Sequence, residues 1–184
     1  MEDSLSRIVI VGGGSAGWLT AGVIAAEHRI DPEAPHRFEL VLIESPDVPT
    51  IGVGEGTWPS MRATLQRIGL SETDFVRECD ASFKQGTWFR DWQTGNGDTY
   101  GHPFTVPADF ADTNLAPHWL ALTGAPPFAD AVTPQTALFA ECLAPKQITT
   151  PEYAFVVNYG YHLDAGKFAE LLRRHCTEKL GVKH

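Results

Sequence analysis

The sequence has little cysteine and no long apolar run, and it lacks any surplus of positive charge. Its three cysteines, Cys79, Cys142 and Cys176, are odd in number and far apart, and none forms a CxxC pair. This argues against a disulfide framework, fits a reduced compartment, and leaves the thiols as small apolar packing residues. No apolar run is long enough to span a bilayer, and the acidic start Met1-Glu2-Asp3-Ser4 leads straight into a strand rather than a signal peptide. A cytoplasmic protein is the expectation. A formal charge of −9 argues against nucleic acid or an anionic membrane surface as the main partner. His28, His36, His118, His162, His175 and His184 show no ligand spacing, so no metal site is expected. Repeats and low-complexity tracts are absent. What is present is an apolar share of 43% in 184 residues, enough for one domain with a proper core.

The most informative stretch is Ile8-Val9-Ile10-Val11-Gly12-Gly13-Gly14-Ser15-Ala16-Gly17-Trp18. A short β-branched run, three spaced glycines and an alanine-rich helix are how a strand delivers backbone to a pyrophosphate. Gly12 allows the tight turn, Gly14 lets a diphosphate approach the main chain, and Gly17 lets helix and strand pack closely. The free N–H groups at the helix start then face the phosphate charge. A glycine-rich turn without a ligand explains one of these glycines well and three at this spacing poorly. Glu44, at the end of the next strand, is placed to accept hydrogen bonds from both ribose hydroxyls of an adenosine and to repel a 2′-phosphate. FAD or NAD is thereby favoured over NADP. The alternative is a solvated strand-end glutamate.

Along the chain, residues 7–11 read as a strand and 15–29 as its crossover helix, with an apolar stripe of Leu19, Val23, Ile24 and Ala26. Asp31–Pro35 ends that helix, and 38–44 read as a second, buried parallel strand. Pro46–Pro59, with Gly52, Gly54 and Gly56 alternating, reads as a mobile strap whose backbone can lie against a flat ligand. Thr57 is expected to cap a helix carrying Met61, Leu65 and Ile68 and closed by Gly69. Ser71 and Asp74 open another, with Phe75, Val76, Cys79 and Phe83 on one face and Lys84 where it gives out. From Asn96 to Pro151 eight prolines, from Pro103 onward, exclude long regular elements. Asn114–Leu122 reads as one short helix and Pro134–Leu143 as another. Such an insertion usually builds a lid or substrate wall. Tyr153–Tyr159 reads as a strand, and Asp164 caps a helix carrying Phe168, Leu171, Leu172, Cys176 and Leu180, with Gly181 after it. That helix should deliver a further parallel strand, which the sequence lacks, so the chain reads as truncated at its C-terminus.

Gly12-x-Gly14-x-x-Gly17-Trp18-x-x-Ala21, followed by Glu44-Ser45-Pro46 and Ile51-Gly52-Val53-Gly54-Glu55-Gly56-Thr57, resembles the flavin-dependent tryptophan halogenase family over nearly all of the chain. The resemblance implies an α/β fold: a Rossmann-like FAD-binding domain of the glutathione-reductase type, of which residues 1–184 are an N-terminal part and about 96–151 a substrate-side insertion. It implies that Gly12, Gly14, Ser15, Ala16, Gly17, Trp18 and Glu44, with the strap residues Ile51, Gly52, Val53, Gly54 and Glu55, bind FAD. Lys84 would be the catalytic lysine, directing hypohalous acid formed from a flavin hydroperoxide onto an aromatic carbon; taken alone it reads as a solvated surface lysine. His102 and Phe104 would sandwich an indole-type substrate between two rings; the bland alternative is loop packing around Pro103. The cofactor is then FADH2 from a separate flavin reductase, with halide and O2 as co-substrates, and a homodimer is left open. The family's WxWxIP motif and its later glutamate are not in this sequence. A related flavin-dependent aromatic monooxygenase and a non-catalytic nucleotide-binding fragment remain the alternatives.

Overall fold

The structure, a computed structural model, describes residues 5–28, 38–48 and 54–184. Its elements in order are β1 Arg7–Val11, α1 Ser15–His28, β2 Glu39–Ile43, β3 Gly54–Gly56, α2 Ser60–Arg67, α3 Glu72–Glu78, β4 Ser82–Lys84, β5 Gly86–Arg90, β6 Thr99–Pro103, α4 Ala116–Leu120, α5 Phe128–Val132, α6 Gln135–Ala140, β7 Gly160–Asp164 and α7 Ala165–Glu178. They form two compact units, one from the start of the chain to Ser82 together with His162–His184, the other Phe83–Tyr161. Among the described residues no helix is long and apolar enough to cross a membrane.

In the first unit β1 and β2 pair in parallel, from Arg7 opposite Glu39 to Val11 opposite Ile43. Two parallel strands joined by a helix need the crossover that α1 supplies. The strand expected after α7 is not wholly missing. Gly181 turns the chain at φ +70°, and Lys183 then bridges Val41 in parallel, donating to Leu40 O at 2.9 Å while its own carbonyl accepts from Leu42 N at 2.8 Å. The buried strand of the sequence reading is buried on one face only. Leu40 and Leu42 are inside, whereas Val9, Val11 and Ile43 of the two strands are exposed.

The stripe on α1 also differs from the expected one. Trp18, Ala21, Gly22 and Ala25 are buried, and Leu19, Val23, Ile24 and Ala26 are only half-buried. The reason is the neighbour: a Cβ on Gly22 would stand 3.3 Å from both Cys176 Sγ and Ile68 Cγ2, so small residues set how near α7 comes. Cys176 Sγ reaches Trp18 O at 3.5 Å across the same contact. Phe75 of α3 and Phe168 of α7 meet edge to face at 5.4 Å and extend this core. Asp164 caps α7, accepting from Lys167 N at 2.9 Å, as expected.

Ser71 likewise caps α3 through Asp74 N at 3.2 Å, but Thr57 does not cap α2. Pro59 occupies that position without a side-chain bond, and Met61 N donates to Trp58 O instead. Phe83 and Lys84 belong to β4 and not to the end of a helix, because α3 closes at Cys79 and Asp80 follows at φ 47°.

The second unit is built on the β5–β6 hairpin, with Gly86 opposite Pro103 and Arg90 opposite Thr99. Its prolines keep α4, α5 and α6 to 5, 5 and 6 residues. Gln135, fully buried, stands in for missing backbone pairing: its Oε1 accepts from Thr105 N at 2.7 Å and its Nε2 donates to Asn158 O. Tyr153–Tyr159 is not a strand. Tyr153 sits at φ 60°, and the amides of Val156 and Val157 both turn to Pro145 O, so the strand β7 begins only at Gly160. Cys142 also departs from expectation: a left-handed turn after α6, at φ 54°, leaves it exposed, while Cys79 and Cys176 are buried.

Candidate functional site

The turn between β1 and α1 is closed by backbone alone. Gly12 lies at φ +117°, a conformation that L side chains avoid, and its N–H donates to Ile43 O at 2.8 Å. Trp18 N donating to Gly14 O at 3.1 Å starts the α1 ladder. The first-turn amides ahead of it have no intrahelical acceptor and carry the positive end of the helix dipole. A Cβ on Gly17 would fall 1.8 Å from Gly12 O, so helix and turn touch through hydrogen only. A Cβ on Gly14 would meet nothing within 4 Å; that face opens to a cleft.

The cleft holds about 790 Å³ and is lined by residues 11–16 with Ile43, Glu44, Ser45, Val48, Glu55 and Ala165. A smaller cavity of about 340 Å³ adjoins it, bounded by Trp18, Pro46, Ala169, Glu170, Arg173 and His184. Gly13, Glu44, Ser45 and Val48 line both. Glu44 Oε1 stands 2.9 Å from His184 Nε2, and His184 in turn meets the edge of the buried Trp18 ring at 5.2 Å and 77°. A Cβ on Gly13 would lie 1.6 Å from Glu44 Oε2, so the carboxylate rests on bare main chain. Arg173 is held above its ordinary pKa first by its hydrogen bond to Glu170, with Glu44 a smaller Coulombic contribution.

Of the residues expected at a nucleotide, Gly12, Gly14, Ser15, Ala16 and Glu44 therefore share one cleft wall, and Glu55 of β3 joins them. Gly54 is exposed beside it, with β3 antiparallel to β7, Glu55 opposite Leu163. Gly17 packs inside the turn, and Trp18 lines the smaller cavity. Ile51, Gly52 and Val53 lie outside the described residues. Gly13, at both cavities, and His184, at the smaller one, have no role in the sequence reading. The extra glycine between Gly12 and Gly14 was the available signal for the first; nothing local marks the second.

In the second unit Lys84 ends β4 half-buried, its Nζ 5.7 Å from the centre of the Phe104 ring. Phe104 is buried, and its N–H donates to Gln85 O at 3.0 Å. His102 is exposed on β6 opposite Thr87, its ring 6.3 Å from Phe89, which stacks on Tyr100 at 5.0 Å. Thus Lys84 has Phe104 as its ring neighbour and His102 has Phe89.

Known proteins resemble this chain in sequence and fold. The chain is 53% identical to a tryptophan halogenase from Shewanella frigidimarina NCIMB 400, whose crystal structure matches with a TM-score of 0.91 over 100% of this chain and 36% of that one. It is 32% identical over 202 residues to the tryptophan 6-halogenase ThaL of Streptomyces albogriseolus, covering 100% of this chain and 36% of that protein. BrvH, a flavin-dependent halogenase from Brevundimonas sp. BAL3, matches at 32% identity and a TM-score of 0.75 over 98% of this chain and 35% of its own. The chain thus spans little more than a third of the length of these relatives. Residues 7–184 match the tryptophan halogenase family, and the chain belongs to it.

Proposed function

We propose that the protein acts in FADH2-dependent halogenation of an aromatic substrate of indole type, with the Gly12–Gly17 turn as the FAD site and Lys84 as the catalytic residue. The observation that carries this is the backbone cradle: a turn at φ +117°, a helix start that only Gly17 can bring so close, and an open face over Gly14. Those residues fit a dinucleotide, since the cleft offers a diphosphate the first-turn amides of α1, which have no acceptor within the helix, and offers a ribose a strand-end carboxylate, Glu44. In this reading the region is the N-terminal part of a Rossmann-like FAD-binding domain of the glutathione-reductase type, and residues about 96–151 form its substrate-side insertion. When bound, reduced FAD supplies with O2 and halide the oxidising chemistry that yields hypohalous acid.

The chain's own residues then have separable tasks. Gly12 makes the turn, its own amide being tied to Ile43 O, so that Gly14, Ser15 and Ala16 bind the diphosphate through main-chain N–H groups; Glu44 binds the ribose, and Gly54 and Glu55 border the ring system. The Lys84 ammonium donates a hydrogen bond to hypohalous acid and polarises its oxygen–halogen bond toward an electron-rich ring carbon. The Phe104 face steadies that ammonium through its ring quadrupole. His102 and Phe104 offer aromatic surface to the substrate, although their unequal burial gives them unequal access. A separate reductase supplies the reduced cofactor.

The test combines purified protein, a flavin reductase with NADH, bromide or chloride, and tryptophan, with products read by mass spectrometry. Halogenated product lost in Lys84→Ala, with FAD retention unchanged, is the expected result; product surviving that substitution refutes the role of Lys84. Because the chain spans 36% of the ThaL length, a second reading is nucleotide binding without turnover. FAD retained with no product from the wild-type protein supports it. A hydroxylated product in place of a halogenated one supports the related monooxygenase.

A further inference from the structure

We propose that His184 is a positioning residue for Glu44, holding the carboxylate over Gly13 in the orientation that receives the ribose of a bound nucleotide. The inference rests on the reading of this cleft as the FAD site and adds residues to it. Glu44 directly follows β2 and lines both the 790 Å³ cleft and the 340 Å³ cavity beside it, so its rotamer decides what either can accept. A glutamate at a strand end has torsional freedom that binding would have to remove. Two contacts remove it beforehand. His184 Nε2, at 2.9 Å, donates to Oε1, and Oε2 lies where a side chain at position 13 would be.

His184 is itself fixed by its neighbours. The parallel bridge of Lys183 to Val41 sets its backbone, and the Trp18 ring meets its imidazole edge to face. Arg173, the guanidinium at the same cavity, is engaged first by Glu170 in a 2.5 Å ion pair and has only a smaller Coulombic attraction to Glu44. A carboxylate has about four acceptor sites, of which His184 takes one, so hydroxyl donors of an unmodified ribose find the rest in place. Gly13, the unassigned glycine of the turn, gains a function here: it is the floor against which Glu44 is held.

A double-mutant cycle tests the coupling, with FAD affinity of the purified protein read by flavin fluorescence and the fold of each variant checked by thermal melting. His184→Phe keeps an aromatic ring against Trp18 but removes the donor, and His184→Gln restores an N–H. The first should weaken FAD binding by about fivefold, on the scale of one charge-assisted hydrogen bond with a partly exposed partner, and the second should recover most of it. In a Glu44→Gln background His184→Phe should cost less than about twofold, because the partner it positions is already altered. Unchanged affinity in His184→Phe, or an equal loss in both backgrounds, overturns the assignment while leaving the cofactor reading intact. A wild-type protein that binds no FAD overturns both.

Discussion

Gly17→Ala sets two known effects against each other at one atom. Alanine is the better helix former, by up to about 1 kcal/mol in a helix interior and less in a first turn. Against this, the new Cβ would stand 1.8 Å from Gly12 O, where real contacts stay beyond 3.0 Å. Relief requires α1 and the turn to part by more than about 1 Å in a region packed at crystal-like density. Gly12 is poorly able to yield, since its amide is tied to Ile43 O at 2.8 Å; behind the new methyl, Leu42 Cδ1 stands at 3.7 Å. Overpacking of this kind costs about 1–3 kcal/mol, so the net loss should be about 1–2 kcal/mol. For a chain of this size that is a fall in melting midpoint of about 2–8 °C by circular dichroism. Gly14→Ala is the control. Its Cβ meets nothing within 4 Å, so the midpoint should hold within about 2–4 °C, whereas FAD binding should weaken at least about tenfold because the methyl enters the space offered to a diphosphate. A Gly17→Ala protein that melts at or above the wild-type midpoint, as helix propensity alone requires, would refute the close approach.

Two further measurements address the thiols and the hairpin loop. At pH 8 an aromatic disulfide reagent should titrate Cys142 promptly in the folded protein and Cys79 and Cys176 only after unfolding, because burial pushes each of those two thiols up to about 12; two or three prompt equivalents would contradict the packing. Asp98, which receives the Thr94 hydroxyl and the amides of Gln93, Thr94 and Gly95, is lowered to about 2, first by the Thr94 hydroxyl. Its folded pKa lies below the unfolded value of about 3.9, so its contribution is complete above that pH and disappears as pH falls toward 2. Carboxyl titration by NMR should show Thr94→Ala moving Asp98 upward, and an unmoved Asp98 would remove the hydroxyl as the cause.

The sequence is legible where the constraint is local. β1, the start of α1, the Ser71 and Asp164 caps and the brevity of the helices after Asn96 all follow from propensity, cap chemistry and proline spacing. The failures share a cause. Apolar periodicity puts the stripe of α1 on Leu19, Val23, Ile24 and Ala26, yet the closest approach of α7 selects Gly22 and Ala25 over Val23 and Ile24. Tyr153–Tyr159 has strand composition, but Pro145 O captures the amides of Val156 and Val157 and leaves no ladder to join. Phe83 continues the apolar spacing of Phe75, Val76 and Cys79 and so carries the expected helix to Lys84, but a left-handed Asp80 stops it earlier.

The candidate site divides in the same way, and the division has a consequence for stability. Gly12, Gly14 and Gly17 are legible because each answers to its own torsion or its own missing methyl. Glu44 was legible as a strand end, but not its setting, because His184 reaches it only once Lys183 has joined the sheet beside Val41. The backbone bonds of Lys183 to Leu40 and Leu42 are therefore upstream of the cleft wall: loosening them frees His184, and with it the carboxylate over Gly13. A bound nucleotide that prefers the held carboxylate must, by linkage, stabilise that third strand pairing by the same free energy with which the pairing favours the nucleotide.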